Sequence, residues 1–196
     1  MKKIIIILGL IVSNSYLLAQ SSVWKVNWDM NAPLGQTADF IEKFSMRGIS
    51  VEGSWFLNDN IALGGVFAWG LLYEKTKIIT EHTSGYDLTG HQWRYHNFTP
   101  LLFNGEYYFG AAGNIRPYAG LGVGVLSSET VKYIGLHELY SKEWMFTLAP
   151  EAGIIIPIAN NVNANVKAKY LHGFGKETNF QTLTISVGLA FTSYWY

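Results

Sequence analysis

Five histidines are the first candidates for metal or acid–base chemistry in this sequence. They lie in polar stretches between apolar segments, and they lack the short spacing that protein zinc sites use. The sequence therefore predicts solvated loop histidines and no metal centre. The five are His82, His91, His96, His137 and His172.

A second candidate is a set of three residues of the kind that perform acyl transfer. Ser84 could be the nucleophile, His82 the base and Asp87 the acidic residue, and the three lie close together in the sequence. Acyl transfer needs such groups held in hydrogen-bonding reach of one another, and a flexible polar loop is a poor mount for them. Glycine alternates with apolar residues over 120–124, but no helix follows that could hold a phosphate. We predict no enzyme, no cofactor and no metal, with a lipid-modifying enzyme as an open alternative.

The element that dominates the chain is a strand with two different faces. Residues 182–191 alternate between large apolar side chains and small or weakly polar ones. Successive side chains of a strand point to opposite faces, so one face is apolar and the other small and polar. The pattern recurs along the whole chain. The eight predicted strands are 23–30, 46–56, 61–73, 97–109, 115–125, 144–157, 162–171 and 182–191.

The connections between these strands alternate in length. Three are short turns near Asn58, Gly113 and Asn160, and four are longer loops that begin at Asn31, Glu74, Ser127 and His172. We also expect a helical turn at 39–44 and a bulge at Pro150, because proline removes a ladder donor. In the second hairpin, the apolar rows coincide if Trp55 faces Leu63 and Ile49 faces Trp69.

The N-terminus has the composition of an export signal. Lys2 and Lys3 precede a short apolar run, and Ala19 and Gln20 offer a cleavage position. We therefore expect a cleaved signal peptide at 1–20 and one barrel domain at 21–196. An uncleaved anchor is the alternative, although the run is shorter than the ~20 residues of a spanning helix. Without the two lysines the chain carries 12 basic and 14 acidic residues, which excludes a nucleic-acid-binding composition.

The distribution of charge and aromatic residues separates two kinds of barrel. The apolar rows carry no charge, and the strand charges lie on the polar rows. Only 14% of the chain is charged, against about a quarter in soluble domains. Glycine and alanine on the polar row and tryptophan on the apolar row favour an outer-membrane barrel. A soluble periplasmic lipocalin-like barrel, with the rows reversed, is the alternative. Aromatic residues near strand ends fit membrane interfaces: Trp24, Trp55, Tyr73, Tyr107 and Tyr170.

The whole mature chain resembles the small eight-stranded outer-membrane barrels, the OmpX, OmpW and OmpA-barrel kind, or "outer membrane protein beta-barrel domain" group. The resemblance rests on the strand count, the turn at 57–64, the glycine-rich segment at 117–124 and a last strand that ends in an aromatic residue. It implies an all-β, antiparallel, up-and-down transmembrane barrel with a filled polar interior. It also implies a monomer in a Gram-negative-type outer membrane, with lipid around it. The assembly machinery would recognise the last strand, which ends at Phe191 or runs to Tyr196.

The polar rows predict a charge network inside the barrel. Its members are Lys25, Glu52, Glu106, Glu151, Lys167 and Lys169. Depending on the turn, Glu151 faces Lys167 or Lys169, which are both within reach. We expect Val66 and Tyr118 to face Glu52 and Glu106, so that these carboxylates reach across the lumen to lysines. Hydrated, uncoupled charges are the alternative.

Two functional classes follow from this architecture. The first is a structural or surface-interaction barrel that presents long extracellular loops to an unknown ligand. The second is a transport barrel for small or hydrophobic solutes. An eight-stranded barrel is just wide enough for side chains to fill, so we expect no open pore.

Overall fold

The structure of the protein is a computed structural model, which describes residues 21–83, 86–134, 137–176 and 178–193. Within these ranges, the side chains of residues 76–92 and 134–138 are not described. The predicted signal peptide and the last three residues lie outside the described residues. Within the described part, no helix is long and apolar enough to cross a membrane.

Eight antiparallel strands close into a barrel, in which every strand pairs with its neighbours in sequence and the first pairs with the last. This confirms the predicted all-β, eight-stranded, antiparallel up-and-down barrel. One short helix, α1, covers Gly35–Phe40. The strands are β1 Ser22–Pro33, β2 Gly48–Phe56, β3 Ile61–Thr83, β4 Tyr86–Tyr108, β5 Arg116–Ile134, β6 His137–Ala159, β7 Val162–Phe174 and β8 Phe180–Ser193.

The two faces of each strand are divided as the alternation predicts. The large apolar side chains point outward, with Trp28 at 52% and Phe103 at 62% exposure, whereas Lys25 is fully buried inside. The predicted pairs Trp55–Leu63 and Ile49–Trp69 are present. An apolar exterior around a charged interior is the reverse of a lipocalin, so the soluble carrier alternative is wrong for the described strands.

Two of the predicted long loops are strands instead. β3 and β4 remain paired out to Thr83 and Tyr86, and β5 and β6 remain paired out to Ile134 and His137. Segments 74–94 and 127–143 mix polar and apolar residues without a period of two, so they lack the alternation that marks a half-buried strand. Backbone pairing continues along both hairpins, and β4 stays paired to β5 from Gln92 onward. The four strands therefore form a sheet that protrudes past the barrel rim, and we call it the protruding sheet.

Three local predictions are also corrected. The helix lies at Gly35–Phe40 rather than at 39–44. Pro150 causes no bulge, because the register to β7 is the same on both sides of it, and the irregularity lies between Pro157 and Ala159 beside the turn. Proline has no backbone N–H, so one hydrogen bond of the strand ladder is lost, but no extra residue is inserted that would make a bulge. The turn between β4 and β5 is longer than expected, and Gly110 and Gly113 support it with positive φ angles of 80° and 83°.

Candidate functional site in the barrel interior

Three layers of side chains fill the lumen, and the middle layer is the candidate site. We name them from the end with the short turns to the end with the longer connections: the turn-side layer, the charged layer and the loop-side layer. Seven residues form the charged layer, and all are at most 7% exposed: Lys25, Asp29, Glu52, Glu106, Glu151, Lys167 and Lys169. They come from β1, β2, β4, β6 and β7, so the layer links strands on opposite walls.

Two lysines organise the carboxylates of this layer. Lys25 Nζ lies 2.5 Å from Glu106 Oε1 and 3.7 Å from Glu52 Oε2. Lys167 Nζ donates to Glu151 Oε2 at 2.9 Å and also contacts Glu52 Oε1. Glu52 is therefore shared between the two lysines, and the network crosses the lumen.

Lys169 adds weaker contacts to the same carboxylates. Its Nζ lies 3.6 Å from Glu52 and 3.9 Å from Glu151. The register places Lys169 directly opposite Glu151, yet the shorter contact to Glu151 comes from Lys167, its diagonal neighbour. Both lysines that the sequence left as alternatives therefore lie near Glu151, as the geometry of neighbouring strand positions allows.

The register around Glu106 differs from the sequence prediction. Val66 does face Glu52, but Gly120 rather than Tyr118 faces Glu106, because the turn after β4 is longer than expected. Gly120 also pairs with Glu151 on its other side. A Cβ at this position would lie 3.2 Å from Glu106 Cγ and 3.3 Å from Glu151 Cγ. The glycine therefore leaves the space that the two carboxylates occupy.

The arrangement favours mutual neutralisation over metal binding. Oxygens of Glu52, Glu106 and Glu151 lie within 4.8 Å of one another, a spacing at which three carboxylates can bind a cation. Lys25 and Lys167 already place ammonium groups among those oxygens. An added metal ion would be repelled by both. Burying charges is costly, so these pairs compensate for lost hydration rather than add large stability.

Aromatic rings close the turn-side layer. Tyr108 and Tyr118 stack with centroids 5.1 Å apart, and their hydroxyls donate to Glu106 at 2.7 Å and Asn165 at 2.9 Å. Lys25 Nζ lies 4.2 Å from the Tyr118 centroid, and the Arg116 guanidinium lies 5.1 Å from that of Tyr108. Cations over these rings join the turn-side layer to the charged layer.

The loop-side layer is apolar, which the sequence analysis missed. Its signal was present in the inward row of β4, where Phe98 and Leu102 precede the polar Asn104 and Glu106. Ile41, just after α1, enters this layer and is fully buried. The layer comprises Ile41, Val66, Leu72, Phe98, Leu102, Leu126, Met145, Ala149, Leu171 and Phe180.

Hydrogen bonds hold α1 over the loop-side layer. Thr37 Oγ1 accepts from Gln181 N at 2.7 Å, and Arg94 Nη1 donates to the Phe40 carbonyl at 2.9 Å. The segment between β1 and β2 is thus tied to β4 and to β8. It covers the end of the lumen above the apolar side chains.

All five histidines lie on strands rather than in loops, and the side chains of two of them are described. His96 lies on β4, is 6% exposed, and contacts Ser128 Oγ at 2.7 Å between the rings of Phe40 and Phe180. His172 lies on β7. Placing the histidines in loops was wrong, because the strands run further than their apolar rows. The side chains of His82, His91 and His137, and the set with Ser84 and Asp87, lie outside the described residues.

Comparison with solved structures identifies the fold. No family of known sequences and no curated protein matches the chain. Three solved structures illustrate the likeness. The N-terminal β-barrel domain of Pseudomonas aeruginosa OprF has a TM-score of 0.52 at 15% identity, covering 89% of this chain and 97% of that one. Neisserial surface protein A has a TM-score of 0.53 at 11% identity, with 88% and 96% coverage.

The third structure is Ail, the attachment invasion locus protein of Yersinia pestis, in complex with the heparin analogue sucrose octasulfate. It has a TM-score of 0.52 at 12% identity, and the alignment covers 89% of this chain and all of that one (100%). At such low identities the likeness concerns the fold alone. The chain has the fold of the small eight-stranded outer-membrane β-barrels.

Proposed function

We propose that this protein is a monomeric outer-membrane anchor that presents the protruding sheet at the cell surface and conducts no solute. The observation that carries the proposal is the lumen, which in the described residues is filled by three successive layers of side chains. The extension of four strands past the rim supplies the part that would meet a surface partner. Such a role needs no catalytic group, and we expect no enzymatic activity.

The membrane location is supported by the outer surface. An uncharged apolar face surrounds the barrel below the protruding sheet, with Trp24 and Trp55 in edge-to-face contact at the turn-side end. Aromatic residues at the borders of an apolar band are typical of membrane barrels. Export by a signal peptide at 1–20 and recognition of the last strand by the assembly machinery belong to this proposal.

Substitution on the apolar row tests the membrane location. Val187 points outward at 44% exposure between Trp28 of β1 and Val166 of β7, while its neighbour Ser186 is buried. We expect Val187→Arg to cost about 2–4 kcal/mol of unfolding free energy in bilayers, and Val187→Leu to cost almost nothing. Urea unfolding in lipid vesicles and heat-modifiable gel mobility measure this. An arginine variant that folds into bilayers as well as the wild type would show that this face does not meet lipid.

Cysteine labelling tests which end reaches the cell surface. The native chain has no cysteine, so a single introduced thiol reports one position. Lys142 is exposed on the protruding sheet and Asn160 on the opposite turn. We expect Lys142→Cys to react with a membrane-impermeant maleimide on intact cells, and Asn160→Cys to react only after the envelope is opened. The opposite pattern would reject surface presentation of the sheet.

A further inference from the structure

The exposed cations whose side chains the structure describes lie at one end of this barrel. Among the described side chains, the turn-side rim carries no exposed lysine or arginine, since Arg116 is 6% exposed and turned inward. The loop-side rim and the strands just beyond it carry five: Lys43, Arg47, Lys75, Lys142 and Lys176. An asymmetric charge distribution of this kind indicates that the two rims face different surroundings.

Two of these cations lie over aromatic rings on one outer face. The Arg47 guanidinium is 5.6 Å from the Tyr73 ring centroid, and Lys75 Nζ is 5.5 Å from that of Trp93. Tyr95 adds a third ring, 4.9 Å from Tyr73. We call these five residues the boundary patch.

The boundary patch lies where the apolar row ends. On β3 the outward side chains are Phe67, Trp69 and Leu71, and the next two are Tyr73 and Lys75. The register places Tyr73 opposite Tyr95 and Lys75 opposite Trp93, so the aromatic rings of β4 lie beside the end of the apolar row of β3. Arg47, the residue before β2, adjoins the same place, since its carbonyl accepts a hydrogen bond from Leu71 N at 2.9 Å.

The cations of the boundary patch differ from Lys142. Lys142 Nζ lies 2.5 Å from Glu129 Oε1, whereas no described carboxylate lies within ion-pair distance of Arg47 or Lys75. Rings hold the two cations at the border without neutralising them. Their N–H donors therefore remain able to bind an anion, and arginine suits the geometry of a phosphate.

We propose that the boundary patch binds the phosphorylated headgroup of a glycolipid in the surrounding outer leaflet. Basic residues directly beside a membrane-embedded face attract anionic lipid headgroups, and the rings offer apolar faces to sugar rings. The lipid, rather than free phosphate, is the ligand because the patch continues the apolar row that the acyl chains would cover. This inference rests on the proposed membrane location.

The test uses the folded full chain in detergent micelles. It is titrated with lipid A that carries both phosphates and, separately, with dephosphorylated lipid A, and native mass spectrometry measures the bound lipid. We expect the phosphorylated lipid to bind roughly 10- to 30-fold more tightly, as two cations near the headgroup would give. Arg47→Gln/Lys75→Gln should remove most of that preference. Inorganic phosphate at the lipid concentration should not compete.

The matched control is Lys142→Gln/Lys176→Gln, which removes the same charge from the same end of the barrel. It should keep the preference for the phosphorylated lipid. Equal binding of both lipids by the wild type, an equal loss in the control, or displacement by inorganic phosphate would each overturn the inference. Failure of the membrane proposal looks different, because the Val187→Arg variant would then fold normally in bilayers.

Discussion

The charged layer and the loop-side layer fill the same lumen by different physical means. In the charged layer, Lys167 meets Glu52 and Glu151 from two other strands through directional contacts. In the loop-side layer, Leu126 and Phe180 fill space without polar partners. The comparison suggests that the charged layer fixes which strands meet, whereas the loop-side layer stabilises through volume alone. The stability losses of paired substitutions should therefore be strongly coupled within the charged layer and additive within the loop-side layer.

The largest expected effect comes from Lys167→Met. The change leaves Glu52 and Glu151 buried with only the more distant Lys169 nearby, at 3.6 Å and 3.9 Å. Removing one partner of a buried pair costs about 3–5 kcal/mol. Urea unfolding in lipid vesicles measures the loss.

The double variant Lys167→Met/Glu151→Ala sharpens this prediction. Glu151→Ala alone should also destabilise, by about 3 kcal/mol, because its partners lose a buried carboxylate. The double variant should recover part of the summed loss, since the two residues contact each other. Purely additive losses would mean hydrated, uncoupled charges in a wetter lumen.

Leu126→Ala tests the loop-side layer. Leu126 is fully buried, and truncation of such a leucine costs about 2–5 kcal/mol through lost burial and the cavity it leaves. Combined with Lys167→Met, the losses should add, because the two side chains belong to different layers. Strong coupling between them in the same unfolding measurement would contradict the separation into layers.

The smallest expected effect is that of Gly120→Ala. The added methyl group would lie 2.9 Å from the Gly105 carbonyl and close to the Glu106 and Glu151 side chains, so the charged layer must shift. Overpacking of this kind costs about 1–3 kcal/mol. Gly65→Ala is the control, because its new methyl group lies 3.7 Å from the nearest atom, the Leu102 carbonyl oxygen. Equal stability of the two variants would mean that Gly120 provides no needed space.

The sequence was informative wherever burial imposed a period of two. Outward positions such as Trp28 and Val187 follow from alternation alone, because a one-residue slip would reverse both faces. The same alternation separates charges from apolar residues and so collects the lysines and glutamates inside. It contains no information about which lysine lies nearest to Glu151, since that depends on a turn and on side-chain length.

The sequence was uninformative where no face is buried. Segments 74–83 and 137–143 are strands in the protruding sheet, yet polar and apolar residues do not alternate along them. The position of Gly120 opposite Glu106 depended on the length of the turn before β5, which alternation leaves undetermined. Ile41 entered the lumen from a segment without a regular pattern, so its burial depended on tertiary contacts alone.

If the filled lumen makes this barrel an anchor rather than a channel, as we propose, single-barrel conductance in planar lipid bilayers is the decisive measurement. The folded full chain should insert, as shown by heat-modifiable mobility of the same preparation, and should give no stable conductance steps. Lys167→Met, which removes a charge but leaves the apolar loop-side layer intact, should also remain closed. Large, reproducible ion-conducting openings of the wild-type protein would contradict the proposed anchor role and favour the transport barrel.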